Sequence, residues 1–384
     1  MRFEFTTTTR IIFGPGTLKE AGPVAKEFGQ RALVVTGSSP NRASRLTEIL
    51  HGAGVSSVSF AVTGEPAITT VEAGVALAKR ERCDVVISLG GGSAIDAGKA
   101  IAAMLTNPGE LLDYLEIIGH GKPLPASPAP FIAIPTTAGT GAEVTRNAVL
   151  ASPKHRIKVS LRSALMLPRV ALVDPELTLD LPRNVTAASG LDALTQLIEP
   201  YLSCRANLLT DTLCIEGIRL AARALPRVCE NGHDLAAREN MALASLWSGM
   251  ALANAGLGAV HGFAGPIGGM FPAPHGAVCA ALLPHVMAMN LRALRERQPD
   301  SEALRKFGDV ARLLTGDANA SADDGASWLT ALVRDLQIPP LSRYGITPAH
   351  TAELVEKAAA ASSMKGNPLP LTAEELKAIL TSAL

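Results

Sequence analysis

Short β-rich runs alternate with helical stretches up to about residue 180, and there the alternation stops. Phe3–Phe13 reads as a strand closed by Gly14-Pro-Gly16. Arg31–Thr36, Ser56–Val62, Cys83–Leu89 and Phe131–Ile134 read as further strands, each ending at a turn rich in Gly, Ser, Thr or Pro. Strands separated by helices predict βαβ units and a parallel sheet. From Thr186 onward the chain is rich in Ala and Leu and poor in β-branched runs, so it reads as helical throughout. The 384 residues are enough for two domains. The predicted fold class is therefore an α/β domain over residues 1–180, followed by an all-helical domain over 181–384, with the boundary near Asp180-Leu-Pro182. Apolar residues make up 47% of the chain but aromatics only 4%, so the core is Ala, Leu and Val in closely packed helices. Asn319–Ser327 reads as a polar loop between helices.

Charge and cysteine usage exclude several functions. Lys plus Arg equals Asp plus Glu at 35 each, so there is no basic excess for a nucleic acid or an anionic membrane. The five cysteines are odd in number and lack CxxC spacing, which fits reduced thiols in a cytoplasmic protein. Met1-Arg-Phe-Glu-Phe does not read as a signal peptide, and no apolar run is expected to reach the length needed to cross a bilayer.

Two turns suit a pyrophosphate. Leu89-Gly-Gly-Gly-Ser93 follows a buried strand and opens a helix through Lys99. Glycines there let backbone approach a ligand, and the helix start offers free N–H groups to an anion. Ile95 occupies the third glycine position of the common dinucleotide fingerprint, and the spacing is not that of a Walker A loop. Pro135-Thr-Thr-Ala-Gly-Thr-Gly-Ala-Glu-Val-Thr145 gathers four threonines and two glycines directly after another strand. Two such turns at the carboxyl ends of parallel strands mark the edge where open α/β sheets bind ligands.

A third set suits a metal. Asp192 and Gln196 lie four residues apart, on one face of a helix. A carboxylate and an amide oxygen there can converge on a divalent ion, and His261 and His275 can complete four ligands. Glu199 shares that face, three residues beyond Gln196, and can act as a ligand or structurally. His51, His120, His155, His233, His285 and His350 read as surface, capping or packing groups.

Gly90-Gly-Gly-Ser-Ala-Ile-Asp-Ala-Gly-Lys99, Pro135–Thr145, Asp174-Pro-Glu-Leu-Thr178, Gly190-Leu-Asp-Ala-Leu194 and His261 followed by Pro274-His-Gly276 resemble the iron-containing (group III) alcohol dehydrogenase family in order and spacing. The likeness runs from Ile12-Phe-Gly14 to Gly366-Asn-Pro368. It implies a dehydroquinate-synthase-like fold with an N-terminal nucleotide-binding domain, a helical metal-binding domain, and the active site between them. It also implies hydride transfer between a nicotinamide cofactor and a metal-held alcohol or carbonyl, in a homodimer. Carried over by position, Gly91, Gly92, Ser93 and Asp96 resemble the pyrophosphate and ribose contacts. Thr136, Thr137 and Thr140 resemble a second wall against the cofactor, and Lys158 the lysine beside the nucleotide. Asp192, His261 and His275 match three metal ligands, for Fe²⁺ or Zn²⁺. The chain departs from the family at Gln196, where a histidine ligand is usual, and at Gly265, where many relatives carry a histidine near the substrate. The first change weakens metal affinity; the second removes a proton-relay group and reshapes the pocket. No acid/base group beyond the metal ligands is assigned.

The end of the second strand bears on cofactor choice. Enzymes preferring NAD usually place a carboxylate there for the ribose hydroxyls. Gly37 stands at that position, with Ser38, Ser39 and Arg42 able to bind a 2′-phosphate, so NADP(H) is favoured over NAD(H). The expected function is an NAD(P)- and metal-dependent oxidoreductase acting on a small alcohol or carbonyl compound. Three rivals stay open: a metal-independent enzyme resembling maleylacetate reductase, a dehydroquinate-synthase-like lyase, and a nucleotide-binding protein without activity.

Overall fold

Six strands pair side by side, and the inner four are buried because their apolar runs are covered on both faces. The computed structural model of the protein describes residues 2–38 and 40–384, the side chains of 40 and 41 excepted. The strands are β1 (Arg10–Phe13), β2 (Arg31–Thr36), β3 (Ser56–Ala61), β4 (Val85–Gly90), β5 (Phe131–Pro135), β6 (Asn147–Ser152), β7 (Ile157–Arg162) and β8 (Val170–Val173). One parallel sheet has the order β1-β8-β5-β4-β2-β3, and β6 and β7 form a separate antiparallel hairpin. Interleaved helices are α1 (Ala21–Lys26), α2 (Ser44–Gly52), α3 (Ile68–Arg80), α4 (Gly92–Thr106) and α5 (Leu111–Tyr114). Successive side chains on a strand point to opposite faces. Leu33, Val35 and Val86 accordingly pack with Ile95 and Ile101 of α4, while Ala32, Val34, Val85 and Ile87 pack with Leu18, Leu46 and Leu50.

The helical unit comprises α6 (Arg183–Leu202), α7 (Leu208–Glu230), α8 (Leu235–Ala255), α9 (Ala259–Met270), α10 (His275–Arg297), α11 (Glu302–Thr315), α12 (Ala322–Asp335), α13 (Thr351–Ala360) and α14 (Ala373–Ser382). Compactness divides the chain at Thr178 and Leu179, with Ala138–Thr140 and the segment up to Thr6 grouped with the helices. Close approach shapes this unit. A Cβ at Gly190 would lie 2.3 Å from Leu225 Cδ1, so glycine lets α6 and α7 touch.

Four details differ from the sequence reading. The first strand is Arg10–Phe13 alone, since residues 3–9 make no strand pairing. The sequence reading touches β7 only at Lys158 and omits β6 and β8; β6 and β7 alternate buried and partly exposed residues instead of forming a continuous apolar run, and β8 is four residues long. The loop assigned to Asn319–Ser327 is shorter: Ser321 and Asp324 form a capping box that starts α12 at Ala322. Finally, α10 is long and apolar enough, by length and composition, to cross a bilayer, but 83% of that stretch is buried inside the fold. The histidine, proline and asparagine within it hid a core helix from a search for apolar runs.

The α/β unit encloses an unusual set of charges. Lys99 of α4 is buried and donates from Nζ to Thr145 Oγ1 at 2.9 Å and Asn147 O at 2.6 Å, with Asp96 Oδ1 at 3.5 Å. Burial pushes the neighbouring Glu143 carboxyl up to about 7, and the Lys99 charge only partly opposes this. The folded state thus holds that proton more tightly than the unfolded chain, whose ordinary value is 4.5. The Glu143 contribution to stability falls as pH rises from 4.5 to about 7, then levels off. Replacing Glu143 by Gln should flatten this part of the stability–pH curve, removing a slope worth at most about 3 kcal/mol. Urea unfolding of both proteins from pH 4.5 to 8 checks it; parallel curves would refute the assignment.

Candidate functional site

The strand order reverses beside β2: the chain runs from β2 outward to β3, then returns to place β4 on the other side of β2. Such a reversal leaves a crevice at the carboxyl ends of the strands. Three turns meet there. A Cβ at Gly90 would lie 3.4 Å from the Gly37 backbone nitrogen, so the ends of β2 and β4 adjoin. Thr136 N donates to Gly90 O at 3.0 Å. A Cβ at Gly91 would lie 3.3 Å from Thr137 Oγ1. The structure therefore gathers Gly37, Gly91, Gly92, Ser93, Thr136 and Thr137 at one sheet edge.

Gly91 caps α4 with φ −76° and ψ −171° and no side-chain cap. This backbone is open to any residue, so close approach, not a left-handed conformation, is what requires glycine. The first N–H groups of α4 lack carbonyls in their own helix to bond, which suits a phosphate.

The remaining candidates are placed less uniformly. Ser38 and Arg42 are exposed, Arg42 within the 3₁₀ turn Pro40–Ala43; Ser39 lies outside the described residues. Thr140 belongs to the segment grouped with the helical unit. Asp96, read as a ribose contact, accepts from Val149 N at 3.1 Å and pairs with Lys99. Lys158 sits on β7 and pairs with Glu65 Oε1 at 3.0 Å.

In the helical unit, three helices bring their polar groups to one point. Asp192 lies in the buried middle of α6, His261 in the first turn of α9, and His275 starts α10 directly after Pro274. Asp192 Oδ1 is 3.4 Å from His261 Nε2 and 3.7 Å from His275 Nε2. Cys279, one turn beyond His275, places its Sγ 3.7 Å from both of those nitrogens. Donor atoms of Asp192, His261, His275 and Cys279 all lie within 4.8 Å of one another. Glu199 Oε2 meets His261 Nδ1 at 2.6 Å, and its Oε1 accepts from Val260 N at 2.7 Å. That assigns a proton to Nδ1 and turns Nε2 toward the cluster. Glu199 is thus a positioning residue and not a ligand.

The donor set fits a divalent metal. Asp192 is 1% exposed, and its Oδ1 has no hydrogen-bond partner. A buried carboxylate oxygen left so is costly unless a cation compensates it. Burial alone would push the Asp192 carboxyl up, but the adjacent His275 and His261 charges hold it below the ordinary range. Burial likewise disfavours the His261 cation, yet Cys279, Asp192 and Glu199 raise it well above the usual imidazole value. These attractions mark a place built for positive charge.

Gln196, read as a weak fourth ligand through its amide oxygen, is held here through its amide nitrogen. Its Nε2 donates to Gly139 O at 3.2 Å, so the amide nitrogen is tied to the Ala138–Thr140 segment. A Cβ at Gly265, one turn beyond His261 on α9, would meet nothing within 4 Å, so the space a histidine side chain would enter is open. Sequence reading missed Cys279, although its four-residue offset from His275 repeats the Asp192–Gln196 spacing.

Comparison with known proteins bears on both halves of the chain. The family described as iron-containing alcohol dehydrogenase matches residues 8–175, and the C-terminal part of the Fe-containing alcohol dehydrogenase family matches residues 186–384. The chain is 36% identical over 394 aligned residues to a 1,3-propanediol dehydrogenase of Klebsiella pneumoniae, covering 99% of this chain and 98% of that one. A crystal structure of 1,3-propanediol oxidoreductase superposes with a TM-score of 0.91 at 35% identity, over all of both chains. A sulfoacetaldehyde reductase from Bifidobacterium kashiwanohense, solved with NAD⁺, superposes with a TM-score of 0.88 at 27% identity, over 100% of this chain and 99% of that one.

The sheet-edge geometry carries a direct test. Gly91→Val places branched carbons against Thr137 and between the α4 N–H groups and any phosphate. Dinucleotide affinity, read by fluorescence titration, should fall about 100-fold or more, while circular dichroism shows the helical unit still folded. Unchanged affinity would reduce this turn to a structural element.

Proposed function

The chain belongs to the iron-containing alcohol dehydrogenase family, and from that membership we infer that it interconverts an alcohol with its aldehyde or ketone by hydride transfer to and from a nicotinamide dinucleotide. The observation that carries the site assignment is the unpartnered Asp192 Oδ1 facing two imidazole Nε2 atoms. Asp192, His261 and His275 hold a divalent metal, Fe²⁺ or Zn²⁺. When bound, that metal supplies the Lewis acidity that polarises a substrate oxygen, and the dinucleotide supplies the hydride chemistry.

The protein's own groups do the positioning. Glu199 keeps the His261 ring turned and protonated at Nδ1, so that Nε2 stays free to donate its lone pair. Gly91, Gly92 and Ser93 present backbone N–H groups to the pyrophosphate, with Thr136 and Thr137 lining the neighbouring turn. The open space at Gly265 enlarges the room on the His261 face of α9, which admits substrates with a bulkier group beside the reacting carbon. Relatives named for 1,3-propanediol and for sulfoacetaldehyde make short alcohols and substituted aldehydes the first panel to assay. The metal-independent, lyase and inactive readings gain no support from these relatives.

Within that reaction we favour NADP(H). Position 37 carries no carboxylate to repel a 2′-phosphate, a Cβ there would meet nothing within 4 Å, and Arg42 is exposed close by in sequence. The test is reduction of an aldehyde panel with NADPH and with NADH, before and after chelation and on readdition of Zn²⁺ or Fe²⁺. Metal-dependent oxidation of NADPH is expected; no dinucleotide oxidation with any carbonyl compound would overturn the reading. In Gly37→Asp, kcat/KM for NADPH should fall about tenfold or more while that for NADH is kept or improved. A wild-type enzyme that binds NADH more tightly would reverse the cofactor assignment.

A further inference from the structure

We propose that Cys279 is a metal ligand in this protein, completing an Asp192–His261–His275–Cys279 shell in place of the one that includes Gln196. The inference rests on the metal reading above and concerns which side chains make the shell.

Distances argue for it first. In a tetrahedral zinc site, metal–nitrogen and metal–oxygen bonds of about 2.0–2.1 Å and a metal–sulfur bond of about 2.3 Å put sulfur and nitrogen about 3.6 Å apart, and oxygen and nitrogen about 3.3 Å apart. Cys279 Sγ lies 3.7 Å from His261 Nε2 and 3.7 Å from His275 Nε2. Asp192 Oδ1 lies 3.4 Å and 3.7 Å from the same two nitrogens. Four edges of the expected tetrahedron are thus within about half an ångström of their ideal lengths.

The second argument is that these buried atoms face one another. Asp192 Oδ1 has no hydrogen bond. The Sγ of Cys279, wholly buried, lies 3.7 Å from each of the two imidazole nitrogens. The third argument is secondary structure. His275 and Cys279 are one turn apart on α10, so their side chains share a face and reach one ion together.

The consequence is a change in metal preference. Carboxylate plus thiolate bring two negative charges, which balance a dication, where carboxylate plus amide bring one. A soft thiolate favours zinc over the harder ions that oxygen and nitrogen donors hold equally well. As the sulfur–metal bond forms, the thiol gives its proton to solvent, so uptake releases a proton and weakens as pH falls. Four protein donors also make turnover depend on expansion to five-coordination.

Cobalt(II) reports the sulfur directly, because a thiolate bound to Co²⁺ gives an intense near-ultraviolet charge-transfer band that oxygen and nitrogen ligands do not. Chelator-treated wild type, Cys279→Ser and Gln196→Ala are reloaded with Co²⁺ under reducing conditions without oxygen. The band is expected in the wild type and in Gln196→Ala, and not in Cys279→Ser. Zinc affinity, read by competition with a chromophoric chelator, should fall in Cys279→Ser by about 100-fold or more, beyond the loss that an outer-shell partner causes, and change far less in Gln196→Ala. Wild type that binds one Co²⁺ without the band overturns the cysteine assignment and leaves the metal reading standing. A band that persists in Cys279→Ser overturns it as well. Wild type that takes up no Co²⁺ overturns both. Should Cys279→Ser fail to fold, the wild-type and Gln196→Ala spectra decide the question.

Discussion

A carboxylate oxygen sealed inside the helical unit without a hydrogen bond sets the terms for everything around it. Asp192 is buried in the middle of α6, and what faces its Oδ1 comes from other helices: His261 from α9, His275 and Cys279 from α10. Leaving such a group uncompensated costs several kcal/mol. A bound dication turns that cost into affinity, and it does so only if three helices hold their donors at the right separation. Pro274 at the start of α10, Gly258 ahead of α9, and the Glu199 carboxylate spanning Val260 N and His261 Nδ1 fix those separations. The rigidity of the helical core therefore serves the site.

The ligand edge proposed for the α/β unit is built in the opposite way, from backbone. Where β2, β4 and β5 end, glycine at 37, 90 and 91 lets main chain stand at the surface of the sheet edge. Charge in this unit is kept inside: Lys99 bonds to backbone and to Thr145 beneath the turn, and Asp96 is bonded to Val149. These charges bond around α4, while the sheet edge presents N–H groups and threonine hydroxyls. On the proposed function, one unit recognises an anion through peptide dipoles and the other a cation through side chains.

Much of this was legible from spacing. Arg31–Thr36 and Val85–Gly90 are unbroken buried runs bounded by glycine, and they are strands. The offset of four between Asp192 and Gln196 led to the right helix. What spacing could not give was orientation within that helix. The Gln196 amide nitrogen is drawn to a carbonyl at Gly139, and only the packing of Ala138–Thr140 reveals it. Cys279 looked like one of five unremarkable thiols until α10 folded and its periodicity set it beside His275. Helix α10 lies within the stretch read as helical; what composition did not convey is that its apolar length is buried inside the fold. Short strands such as Val170–Val173 were missed because four residues carry too little pattern, and pairing with β1 and β5 creates them.

The central claim is that Asp192 anchors a single divalent metal. Calorimetric titration of Zn²⁺ into chelator-treated protein, run beside Asp192→Asn, tests it most directly. The account predicts one equivalent bound by the wild type, with release of protons from the ligands, and at least about 100-fold weaker binding by the variant, whose shell loses an anion. No zinc uptake by the wild type, or equal uptake by Asp192→Asn, would contradict it.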